Sequence, residues 1–190
     1  MTRSDERVEP RTRSEWGRWL AEHHAQRPGV WLRIDARNAV GEDALSYENA
    51  VRELLCWGWI DGQTRRDAGA SLIWCCPRRP TSGWAATNKA RVAELTEQGR
   101  MQEPGLAAVD LARRNGTWTV LDGPEAGIEP PELATALDEE PRARAFWDAL
   151  PRSARKVALT HVATAKREST RLARIDGVVR RCAAHERPDR

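Results

Sequence analysis

One phenylalanine, one tyrosine and four cysteines are scattered through 190 residues, and three lysines stand among 31 basic side chains. No apolar run approaches the roughly 20 residues that cross a bilayer as a helix, so no membrane span is expected. Cys56, Cys75, Cys76 and Cys182 include no CxxC pair, and adjacent Cys75 and Cys76 would face opposite sides of a strand. A disulfide framework or zinc site is therefore not expected, and neither a metal nor a cofactor is implied. Residues 1–13 are polar, of mixed charge and without an apolar stretch. They read as a disordered tail rather than a secretory signal, which with reduced thiols points to the cytoplasm. There is no phosphate-binding glycine loop and no G-x-G-x-x-G. His23, His24, His161 and His185 share no ligand spacing, and no Ser/His/Asp or Cys/His triad can be assembled from the chain. No catalytic constellation is legible, and whether the protein is an enzyme stays open.

Tryptophan is abundant instead: nine indoles, at 16, 19, 31, 57, 59, 74, 84, 118 and 147, dominate the aromatic content. Each brings an N–H that needs a partner once buried. Ser14 is placed to cap a helix with Trp16, Trp19, Leu20 and His23 on one face, and Pro28-Gly29 ends it. Val30 to Asp35 alternates as a half-buried strand. Ser46 opens a second helix, striped by Tyr47, Ala50, Val51, Leu54 and Leu55, that Gly58 should close. Trp59–Asp67 and Ser71–Cys76 read as paired antiparallel strands, the second stopping at Pro77. A third helix capped by Ser82 would carry Trp84, Asn88, Val92 and Leu95 on one face, and Pro104 suits the first turn of a fourth.

Composition then shifts. Residues 120–150 hold eight acidic and two basic side chains, whereas 151–190 hold eleven basic and four acidic ones. Both stretches carry a helical apolar period. The expected architecture is α+β: a small antiparallel sheet flanked by helices over 14–120, with a helical C-terminal region over 121–190. The basic C-terminus is expected to be a solvated face or to pair with the acidic stretch, so nucleic acid is not the expected partner.

Two segments invite a functional reading. In Cys56-Trp57-Gly58-Trp59-Ile60-Asp61-Gly62 a carboxylate sits beside indoles where a helix gives way to a strand. It is either a ligand-binding or acid/base group or a turn residue bonding its own backbone. In Cys76 to Trp84 the arginines of a basic loop run into a helix start, which suits an anion as well as it suits a capped helix with solvated arginines. Asn88 falls on an apolar stripe and needs hydrogen-bond partners. Trp59, Asp61, Arg78, Trp84 and Asn88 are thus the candidate ligand-binding residues. The candidate ligand is a small anion or a peptide. One rival is an enzyme using Asp61 as acid/base with Arg78 as an anion clamp. The other is a weak, salt-sensitive nucleic-acid binder using the C-terminal arginines. Oligomeric state is not readable.

Several motifs in order resemble the YdeI/OmpD-associated family: Ser46-Tyr47-Glu48-x-Ala50-Val51, Leu55 to Gly62, Pro77-Arg78-Arg79-Pro80-x-Ser82-x-Trp84-x-x-x-Asn88, Gly99-Arg100-Met101, Ala165-Lys166 and Glu168-x-Thr170-Arg171-x-x-Arg174-Ile175. The resemblance spans roughly 14–182. Trp57 stands where Phe is usual, and Trp74-Cys75-Cys76 replaces a more polar strand end. The resemblance implies a small cytoplasmic bacterial protein of stress response and of tolerance to bacteriocins or antimicrobial peptides. It brings no established catalytic residues.

Overall fold

The computed structural model describes residues 6–34, 43–67 and 69–188. The chain divides into two compact units: one runs up to Ser82 and resumes over Thr87–Arg114, the other comprises Gly83–Ala86 and Asn115 onward. The excursion at Gly83–Ala86 carries Trp84 out of the first unit, which no local period in the sequence signals.

The first unit is α+β. Its elements are strand β1 (Arg7–Val8), helix α1 (Arg13–His23), strand β2 (Val30–Ile34), helix α2 (Tyr47–Cys56), strands β3 (Trp59–Asp67) and β4 (Ala70–Pro77), and helices α3 (Ala86–Glu97) and α4 (Glu103–Arg114). Sheet order is β1-β2-β4-β3. The β3–β4 pair is antiparallel, as its sequence predicts, from Trp59 opposite Pro77 to Asp67 opposite Ala70. The sheet as a whole is mixed rather than antiparallel, because β1 pairs parallel to β2, with Arg7 opposite Trp31. The same pairing corrects the expected tail over 1–13: Arg7 and Val8 are sheet residues, and the Trp31 amide donates to the Glu6 carbonyl at 2.9 Å. Asp35, expected in β2, lies outside the described residues.

Local chemistry explains the helix ends. Thr12, not Ser14, caps α1, its hydroxyl accepting from the Glu15 amide. Ser14 instead donates through its amide and hydroxyl to Asp43 at 3.0 and 2.8 Å. Ser46 caps α2, and Gly58 leaves it with φ +70°, a conformation glycine takes without a Cβ penalty. One sheet face buries Val30, Leu32, Ile34, Ile73, Cys75 and Trp59 against Trp16 and Leu20 of α1 and Ala50 and Leu54 of α2. Removing each of the Val, Leu and Ile side chains from water contributes about 1.5–3 kcal/mol. The buried indoles are satisfied: Trp16 Nε1 donates to the Ala50 carbonyl and Trp59 Nε1 to the His24 carbonyl.

The second unit is helical: α5 (Asp122–Ala126), α6 (Pro131–Asp138), α7 (Pro141–Ala149), α8 (Arg152–Ala163) and α9 (Glu168–Ala183). Its core gathers Leu133, Leu137, Trp147, Leu159, Val162 and Ile175. The two charge blocks of the sequence meet here. Lys156 pairs with Glu125 at 3.0 Å, and Arg171 donates to Glu132. Among the described residues no helix is long and apolar enough to cross a membrane.

Candidate functional site

The polar residues that converge in the first unit lie where α2, α3 and the β3 edge meet. The Ser46 cap fixes the first turn of α2, which presents Tyr47 and Glu48. Tyr47 donates its phenolic O–H to Asp61 Oδ2 at 2.7 Å. Asp61 sits opposite Cys75 where the β3–β4 register shifts before Thr64, an irregularity of the kind that re-aims side chains. On α3, Arg91 forks onto Glu48, Nε to Oε1 at 2.9 Å and Nη2 to Oε2 at 2.6 Å, while its Nη1 donates to Asn88 Oδ1 at 2.8 Å. Arg52 joins the lattice through Glu94 at 2.6 Å and Glu48 at 3.4 Å.

Arg78 follows β4, and its amide donates to the Gly58 carbonyl at 2.9 Å, extending the ladder past the Trp59–Pro77 pair. Burial pushes its guanidinium down to about 10, against the opposing pull of Asp61 and then Cys76. It remains charged at neutral pH. Burial, then the Asp61 hydrogen bond, push the Tyr47 phenol up to about 12. Hydrogen bonds from Arg91 hold the Glu48 carboxyl below its ordinary value.

Of the five candidates, Asp61, Arg78 and Asn88 belong to this polar region, linked by Tyr47, Arg91 and the mutual field of Asp61 and Arg78. Asn88 is half-buried rather than fully buried, and its partner is a side chain, Arg91. Trp59 is a core residue, 1% exposed, in the sheet-face cluster. Trp84 precedes α3 instead of lying on it. It is buried in the second unit, where its amide donates to Thr117 and its ring lies 5.0 Å from that of Trp118. Of the two readings of the basic loop, an anion site or a capped helix start, the structure favours the second: the Ala86 amide at the start of α3 donates to Glu125 Oε2 at 2.8 Å.

Sequence reasoning missed Tyr47, Glu48 and Arg91 as partners of Asp61 and Asn88. The available signal was an Arg one turn beyond Asn88, on the helix that follows the strand pair. It also missed Glu53, whose side chain is 12% exposed between Arg13 at 3.4 Å and Arg100. Burial pushes the Glu53 carboxyl up, and the Arg100 and Arg13 charges oppose that shift. Gly99, at φ +64°, turns the chain so that Arg100 reaches it, which gives the Gly99-Arg100 motif a structural role. Burial also pushes the Cys56 and Cys182 thiols up to about 11 and the Cys75 thiol higher still, so none of these three is a thiolate nucleophile at neutral pH. Among the described residues, no group of three or more His, Cys, Asp and Glu is arranged to hold a metal ion.

Fold and site together define an α+β protein with a surface polar cluster at a sheet edge, followed by a helical unit. The chain belongs to the family of a domain of unknown function (DUF8412), whose model matches residues 8–108. Residues 127–185 match the family described as Bacteriocin-protection, YdeI or OmpD-Associated. That match upholds the family resemblance and locates it in the helical unit, whereas the motifs between Ser46 and Met101 fall within the domain of unknown function. No curated protein and no solved structure matches the chain.

Proposed function

We propose that the protein binds a small anionic ligand or a peptide at Asp61, Arg78 and Asn88, framed by Tyr47 and Arg91, and acts without catalysis in bacteriocin or antimicrobial-peptide tolerance. The observation that carries this reading is Arg78: a guanidinium drawn partly out of water, its pKa brought down to about 10, in the field of Asp61. Holding a charge there is costly for a merely structural contact, and a convergent charged group at a sheet edge offers specificity to a ligand. Binding is favoured over chemistry because the Tyr47 phenol, pushed up to about 12, stays protonated at neutral pH and is committed to Asp61, and the three thiols with raised pKa stay protonated. The C-terminal match supports the tolerance role, and a stress-related setting in the bacterial cytoplasm completes the proposal. Neither Trp59 nor Trp84 is part of the proposed binding surface, given their burial.

Asp61→Asn and Arg78→Gln test it. The melting temperature should move by only a few degrees, because Asn and Gln keep a polar group at each position and Arg78→Gln also removes a charge that burial disfavours. Survival of cells challenged with a cationic antimicrobial peptide should fall to that of cells lacking the protein. If both variants melt early and survival is unchanged, the cluster only locks α2 and α3 to the sheet. A turnover that Asp61→Asn abolishes would replace binding with acid/base chemistry.

A further inference from the structure

An arginine-lined cleft, separate from the sheet-edge cluster, lies in the helical unit. It is an open cleft of about 500 Å³, lined by His161 of α8 and by Arg174, Gly177, Arg180 and Arg181 of α9, with Glu186 beyond the helix end. That volume suits a small molecule. Two features together mark it as a candidate site. First, Arg144, Arg171 and Arg180 are each paired with a carboxylate, whereas Arg174 and Arg181 are held by uncharged groups. Arg174 Nη1 donates to the His161 carbonyl at 2.5 Å and to Thr164 Oγ1 at 3.4 Å, and Arg181 Nη1 to the Arg187 carbonyl at 3.2 Å. Those bonds aim both guanidiniums without neutralising them, and among the described residues neither forms an ion pair.

Second, Gly177 sits well inside a 16-residue helix, where glycine is the poorest former after proline. A Cβ there would meet nothing within 4 Å, so packing does not require the glycine. It lines the cleft from a helix position between Arg174 and Arg181, and leaves the wall free of a side chain there. A helix that gives up local stability to leave room beside positioned, uncompensated charge is built to admit an anion.

We propose that this cleft binds a phosphate group carried by a small molecule or lipid headgroup, with Arg174 and Arg181 as its forks and Gly177 making the room. An extended polyanion fits less well, because Asp176 and Glu186 stand near the arginines and the site is concave. His161 supplies an internal reporter. Desolvation, then the Arg174 charge, hold its imidazole below its ordinary pKa, and a bound phosphate should raise it.

The test uses the full chain with pyrophosphate, followed by calorimetry and by NMR of the His161 ring. Wild-type protein should bind, with the His161 pKa rising on saturation. Gly177→Leu should fold with an unchanged or higher melting temperature yet lose at least about tenfold in affinity, a 1.4 kcal/mol change. Arg181→Gln should lose a comparable factor. Vesicles containing phosphatidic acid separate the sources: binding to vesicles and not to pyrophosphate, abolished by Gly177→Leu, assigns the phosphate to a headgroup. Failure to bind either probe overturns the proposal. So does Gly177→Leu binding as tightly as wild type, or duplex DNA binding unaffected by either substitution. None of these outcomes bears on Asp61 and Arg78, so the two sites stand or fall separately.

Discussion

Gly105→Ala should cost about 3 kcal/mol or more of folding stability, at the upper end of what overpacking by a single methyl does. A Cβ at Gly105 would lie 2.3 Å from the Cys56 carbonyl oxygen and 2.7 Å from that of Leu55. Both obstacles are backbone, so no rotamer change relieves the clash. The approach is reciprocal: a Cβ on Gly58 would meet the Pro104 carbonyl oxygen at 2.8 Å. The Gln102 amide donates to the Cys56 carbonyl at 3.1 Å, so two bare backbones pin the end of α2 to the start of α4. The consequence reaches the candidate site. Gly58 receives the Arg78 amide and hands the chain to Trp59, two residues before Asp61. Urea unfolding checks the expectation, with Gly123→Ala as the control, since its added Cβ meets nothing within 4 Å. A midpoint for Gly105→Ala within experimental error of wild type would mean that α2 and α4 do not approach this closely.

The parts of the fold that were legible carry their information locally. The stripe from Tyr47 to Leu55, with a serine before it and a glycine after it, allows one reading, and α2 starts and stops where those residues dictate. The β3–β4 pair is similarly readable, since two β-prone runs flank a short polar connection. What escaped depends on partners distant in sequence. A two-residue strand such as β1 has no period to detect, so its parallel pairing with β2 turns an expected antiparallel sheet into a mixed one. Counting by fours from Trp84 to Asn88 suggested one helix face, yet α3 begins at Ala86 and Trp84 packs on Trp118. Asp61 and Asn88 were singled out by local context, and the residues that engage them, Tyr47 and Arg91, are brought in by the fold. The opposed charge blocks did forecast ion pairing within the helical unit, because net charge is an additive property that survives ignorance of geometry.

Removal of the Glu129 carboxylate should produce the largest loss in the helical unit. Trp147 is fully buried, and its indole N–H donates to Glu129 Oε1 at 2.7 Å. Arg144 forks onto the same carboxylate at 2.8 and 2.9 Å and also reaches Asp148. Glu129→Ala leaves a buried indole donor without its acceptor and strips the guanidinium of its bidentate partner, which together should cost about 3 kcal/mol. In a unit of this size that lowers the melting temperature by more than about 10 °C. Glu129→Gln keeps an acceptor oxygen for Trp147 while losing the charge, so it should recover part of the loss. The pH dependence separates the two contributions. Hydrogen bonds from Arg144 hold the Glu129 carboxyl below its ordinary value of 4.5, with burial opposing them and Trp147 reinforcing them. A folded-state pKa that is depressed stabilises the fold fully above the unfolded value, and that stabilisation disappears as pH falls through the folded one. The stability gap between wild type and Glu129→Gln should therefore be constant at neutral pH and begin to shrink near pH 4.5. It should close further below, as pH falls through the depressed folded-state pKa of Glu129. The gap to Glu129→Ala should persist in part at low pH, because a protonated carboxylic acid still offers Trp147 an acceptor and alanine does not. Unfolding titrations of the three proteins at neutral and acidic pH measure this directly. A gap to glutamine that is flat down to acid pH would mean that the Arg144–Glu129 charge pair contributes nothing and the indole bond carries the whole effect.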